Sequence, residues 1–313
     1  MKTSPVTVAD LRRSVLAVPP LCRNDDLTVS VVENARLTAH LRAGGVTTHM
    51  WGGNANMYGV GVSDFPAFLD MAEAVAEGDD WSIPSIGAEF GKAMDQAAIL
   101  SRRAFPTAMV LPMRGVADRT GVARGIGRIA AAMGKPLIVY YKDIGYLDMA
   151  DLKALFADGT LCALKYGVLV PDPNVDPELS AILDAINPDL VISGSGELPV
   201  VAHAETFGLR AFTSGCVSIA PALSMRILAA IARGDFAGAR AVREVFLPLE
   251  HAREKHSPIR VLHAAVGLAG VARTGPVYPM LSDLTDAAVL DAIARQAQAL
   301  LAANASGLAE AAE

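Results

Sequence analysis

The chain is poor in cysteine. Cys22, Cys162 and Cys216 are the three in 313 residues, and no two stand in a CxxC spacing. That excludes a disulfide framework and reads as free thiols in a reducing compartment. Six histidines show no HxH or HExxH pairing, so no metal is expected. No stretch of about 18 apolar residues is present, so no membrane partner is expected. Asp10, Arg12 and Arg13 interrupt any apolar run that a signal peptide would need, and the expected address is cytoplasmic. Charged residues make up 19% and the formal net charge is -6. A chain of that balance has no footprint for phosphate backbones, which excludes nucleic acid as a partner.

Apolar material, in contrast, is plentiful: 52% of residues are hydrophobic, enough for a large core. It recurs as short β-branched runs that end in small or polar residues. They are Val15–Pro19, Val46–Trp51, Ile83–Gly87, Thr107–Pro112, Pro136–Tyr141, Leu161–Tyr166, Asp189–Gly194 and Ala211–Cys216. Helical patterns fill the gaps, among them Val31–Ala43, Phe65–Ala76, Arg124–Met133, Asp148–Phe156 and Pro177–Ala185. Eight strand–helix units predict a (β/α)8 TIM barrel over residues 1–234. An open doubly wound sheet shares the local pattern, but no glycine fingerprint follows the first run. Beyond residue 234 the pattern predicts helices only, at Phe236–His251, Pro258–Val271 and Thr285–Ala303. Residues 235–313 therefore read as a C-terminal helical extension, ending in a frayed tail over Asn304–Glu313.

Reactive groups in a barrel sit at the C-terminal ends of strands. Of the seven lysines, only Lys165 falls inside a predicted strand. Alternation puts Leu161, Ala163 and Lys165 on one face, where a desolvated amine would be a neutral nucleophile. A lysine covering apolar surface with its stem satisfies the same pattern. The neighbouring run ends in Tyr140, whose hydroxyl would come near that amine and relay protons, or would simply fill a barrel layer. Gly52-Gly53-Asn54 after the second run, Gly194-Ser195-Gly196-Glu197 after the seventh and Thr213-Ser214-Gly215 in the eighth can offer backbone N–H groups to a carboxylate or phosphate. They also suit plain tight turns. Cys216 lacks a histidine partner and is read as packing rather than as a nucleophile.

These residues resemble the dihydrodipicolinate synthase / N-acetylneuraminate lyase family of Schiff-base-forming aldolases, along nearly the whole chain. Lys165 is similar to the family's imine-forming lysine, and Tyr140 to the tyrosine of its YNxPxRTG segment. Val191-Ile-Ser-Gly194 and Gly208-Leu-Arg-Ala-Phe-Thr213 are similar to its last two strand signatures, and Ser257-Pro-Ile-Arg260 echoes its C-terminal helices. The two threonines of the family's GTTGE turn become Gly53 and Asn54. Its tyrosine pair becomes Met113 and Arg114, and the arginine of YNxPxRTG falls on Gly145.

The resemblance implies a homotetrameric lyase that needs no cofactor and acts on pyruvate or another 2-keto acid. It differs at the positions that serve the lysine-pathway synthase. Lys165 and Tyr140 would be catalytic, and Gly53, Asn54, Gly194 and Thr213 would line the carboxylate end. Met113 and Arg114 would lie at the mouth, where the guanidinium would select a second anionic group; a surface pair between Arg114 and Asp118 is the competing expectation. A barrel acting on a phosphorylated sugar and a catalytically silent ligand-binding relative are the alternative readings.

Overall fold

The computed structural model describes residues 1–312, with side chains described through Ser306. Eight parallel strands close into a barrel in sequence order. They are β1 (Leu16–Ala17), β2 (Thr48–Trp51), β3 (Trp81–Ile86), β4 (Ala108–Val110), β5 (Leu137–Tyr141), β6 (Leu161–Tyr166), β7 (Val191–Ser193) and β8 (Ala211–Ser214). Closure comes from β1 pairing with β8 through Leu16 with Thr213 and Ala17 with Ser214. The expected (β/α)8 barrel is therefore the observed fold.

The helices are α1 (Val8–Arg12), α2 (Val31–Ala43), α3 (Phe65–Ala74), α4 (Phe90–Leu100), α5 (Arg119–Met133), α6 (Met149–Ala157), α7 (Pro177–Ala185), α8 (Val200–Phe207), α9 (Pro221–Arg233), α10 (Phe236–Glu244), α11 (Leu247–His256), α12 (Pro258–Leu268) and α13 (Ala287–Ala312). Several boundaries differ from expectation, and two of the differences have a clear physical cause. The Phe236–His251 helix is two helices, because Pro248 sits in the first turn of α11 and cannot extend a helix arriving from α10. The strand expected from Asp189 starts at Val191, because Asn187 and Pro188 turn the chain in a 3-10 helix first.

The Asn304–Glu313 tail is also corrected. α13 continues to Ala312, and Asn304 is buried, accepting hydrogen bonds from the backbone N–H groups of Ala222 (2.9 Å) and Leu223 (3.3 Å). Glu313 lies outside the described residues. Among the described residues, no helix is long and apolar enough to cross a membrane.

One apolar cluster fills the barrel around Met50, Ile83, Ile138 and Ala163. A second joins Val15 and Ala17 of the β1 segment to α2, α8 and α9, and runs on through Val261, Leu262, Ile293, Ala297 and Leu300 of the C-terminal helices. The helical extension thus packs into a core it shares with the barrel. The chain reversal between α11 and α12 brings those helices over the C-terminal ends of the strands.

Candidate active site

The ladder between β5 and β6 sets the site. Leu137 pairs with Leu161, but Ile138 pairs with Ala163, so Cys162 is skipped and Tyr140 comes directly opposite Lys165. Lys165 is 3% exposed, and its Nζ lies 4.2 Å from the centre of the Tyr140 ring. The ring face, rather than the hydroxyl, meets the amine. Burial brings the Lys165 pKa down to about 7, with the charges of Lys142 and Arg253 adding to the effect. Burial holds the Tyr140 phenol well above its ordinary value, so it stays protonated.

Gly194 is required beside them. A Cβ there would lie 2.5 Å from the Tyr166 carbonyl oxygen and 2.8 Å from Lys165 Cγ. Any side chain at that position would displace the lysine.

A cavity of about 220 Å³ opens on this pair. Gly53, Asn54, Gly194 and Thr213 line it together with Lys165 and Tyr140, and so does Lys142, which donates to the Gly167 carbonyl at 3.0 Å. Met113 and Arg114 do not reach it. β4 ends at Val110, earlier than expected, so both residues sit in the loop beyond the rim. Met113 lines a separate apolar cavity with Phe90 and Val116. The Arg114 guanidinium is exposed and makes a two-pronged pair with Asp143, at 2.8 and 2.7 Å. It does not pair with Asp118, whose carboxylate caps α5 through the Gly121 N–H. Gly145 likewise lies away from the cavity, against Arg119.

The wall opposite the strands is one that sequence reasoning missed. Glu250, Arg253, Ser257 and Pro258 come from α11 and the start of α12. Arg253 is buried, and it donates to Glu250 Oε1 at 2.6 Å, Asn54 Oδ1 at 3.2 Å and the Pro258 carbonyl at 3.4 Å. Burial works against its charge, and Glu250, Cys216 and Glu197 together more than offset this, so the guanidinium stays charged. Ser257, with φ of 111°, makes the reversal that carries Pro258 back to the guanidinium. The only sequence signal was the i, i+3 spacing of Glu250 and Arg253 on an otherwise ordinary charged helix.

Beneath Arg253, Glu197 and Cys216 approach Glu250, with ligand atoms all within 4.8 Å of one another. Glu197 is buried, accepts from Ser224 Oγ at 2.9 Å, and has its pKa pushed up by burial and then by the Glu250 carboxylate. Cys216 is pushed far above the ordinary thiol range by burial, then by Glu250. It is therefore no nucleophile. These three groups have ligand chemistry, but the Arg253 guanidinium already supplies the positive charge there.

Neither a family model nor a curated relative matches the sequence. Solved structures do match the fold. A dihydrodipicolinate synthase from Bacillus clausii aligns with a TM-score of 0.77 at 17% identity, covering 95% of this chain and 99% of that one. A dihydrodipicolinate synthase from Agrobacterium tumefaciens gives 0.80 at 16%, over 94% and 100%. The sialic acid aldolase of Ruminococcus gnavus gives 0.81 at 15%, over 95% and 99%, and is also known as a catalytic lysine mutant. From end to end, this chain has the fold that dihydrodipicolinate synthases and sialic acid aldolases share.

Proposed function

We propose that the protein is a lyase that binds pyruvate or another 2-keto acid covalently as a Schiff base on Lys165. The observation that carries the reading is a buried strand lysine, set against Tyr140, whose pKa is brought down to about 7 and whose amine opens on a cavity. Few settings other than carbonyl chemistry call for such an amine. The fold agrees, since it is shared with a sialic acid aldolase that has a catalytic lysine.

The neutral Nζ attacks the keto carbon to give a carbinolamine. A proton from the Tyr140 phenol, or from water next to it, helps the hydroxyl leave as water, and the product is a protonated imine. That imine accepts the electron pair released when a C3–H or C3–C4 bond breaks, and the enamine returns the pair to an incoming proton or carbonyl carbon. The phosphorylated-sugar alternative is less well supported, because Lys165 faces the cavity and Gly215 closes against Asn54 and Arg253.

Reductive trapping tests the reading. Sodium borohydride with pyruvate should fix one adduct, mapped by peptide mass spectrometry to Lys165, and Lys165→Ala should abolish it. An adduct on Lys142 instead, or none with any small 2-keto acid, would reject the mechanism.

A further inference from the structure

The geometry points to Arg253 as the group that receives the substrate's carboxylate, a specificity role for the C-terminal helical region that rests on the Schiff-base reading above. A 2-keto acid bound through its keto carbon must place its C1 carboxylate within one bond of the imine, inside the cavity that Lys165 shares with Arg253. Among the described residues, three of the five guanidinium N–H groups are engaged, by Glu250, Asn54 and the Pro258 carbonyl. Two remain for a ligand.

Asn54 itself is poorly placed for the task. Its Nδ2 donates to the Val18 carbonyl at 2.9 Å, its Oδ1 accepts from Arg253, and its carbonyl meets His263 Nε2 at 3.1 Å. Bound on three sides, the Asn54 amide acts as a positioning residue that aims the guanidinium. Gly215 permits the contact, because a Cβ there would lie 2.7 Å from Asn54 Nδ2 and 2.9 Å from Arg253 Nη2. Glu250 fixes the opposite edge of the guanidinium.

Charge balance leads to the same place. The remaining charged groups on the cavity wall are Lys142 and Glu254, which offset each other, as Arg253 and Glu250 do. Forming the protonated imine adds one positive charge to a buried site. A carboxylate on the same molecule cancels it, and a guanidinium beside that carboxylate fixes its place. A neutral ketone or aldehyde would leave the added charge unmatched.

Pyruvate and pyruvamide, nearly equal in shape and different in charge, separate the possibilities. In the full-length protein, borohydride trapping at Lys165 should half-saturate at far lower pyruvate than pyruvamide. Arg253→Met should weaken pyruvate by about 10- to 100-fold while moving pyruvamide by less than about threefold. Arg253→Lys should recover part of the loss. Adducts of both compounds formed equally well in the wild type, or equal losses of both in Arg253→Met, would overturn the assignment while leaving the imine intact. No adduct with either compound rejects the Schiff-base reading instead. If Arg253→Met fails to fold, the wild-type ratio and Arg253→Lys decide: an unchanged preference in Arg253→Lys, at unchanged affinity, also overturns it.

Discussion

Lys165 is set apart from the other lysines by where its ammonium would have to live. A charge at that depth gives up hydration and gains two cationic neighbours, so the folded chain favours the free base. Imine formation consumes the free base, which fixes the sign of the pH dependence. Trapping should climb about tenfold per pH unit below pH 7 and level off above about pH 8, whereas an ordinary lysine would keep gaining toward its pKa of about 10.4. Lys142→Met removes one of the two cationic neighbours, so the midpoint should move to higher pH. Stopped-time borohydride quenching over pH 5 to 10 measures both, and a midpoint that stays put would show that Lys142 has no electrostatic hold on the amine. That Lys165 and Tyr140 lie on neighbouring strands was legible in the sequence, because strand alternation and adjacency are local rules. Arg253 was not, since its role depends on a reversal at Ser257 that brings α11 across the barrel mouth. A β4 running to Pro112 would carry Arg114 to the mouth, but the strand ends at Val110 and leaves the residue beyond the rim.

At the level of elements, side chains from distant segments finish one another's ends. α9 starts with Pro221, and its free N–H groups at Ala222 and Leu223 are capped by Asn304 from the last helix. Asn304→Ala should cost about 0.5–2 kcal/mol, the usual worth of a helix cap. A lowered midpoint in thermal denaturation with unchanged trapping at Lys165 is the expected result; an unchanged midpoint would mean that water replaces the cap freely. No pattern of periodicity could have revealed this bond. The same holds for the skipped Cys162 in β6, which decides that Tyr140 rather than its neighbours stands opposite Lys165. Hydrophobic pattern locates a strand, but its pairing register is settled by contacts across the sheet.

For the whole molecule, the eightfold rhythm of the sequence was enough to specify the barrel, because each strand–helix unit repeats the same burial pattern. What the rhythm hid was how far the last helices belong to it. Val261, Leu262, Ile293, Ala297 and Leu300 share a core with Val15, Leu37 and Ile227. A chain cut after Gly234 should therefore expose that apolar face and aggregate, or bind a hydrophobic dye, while the full chain stays monodisperse in light scattering. A well-folded truncated barrel would contradict the shared core.

The wall that Arg253 supplies also has a consequence in time. During synthesis the strands holding Lys165 and Tyr140 leave the ribosome first, and α11 follows much later. Until then the cavity around the Lys165 amine lacks the wall that carries the guanidinium. The cavity's full lining is therefore assembled only after α11 has joined the strands that were made before it.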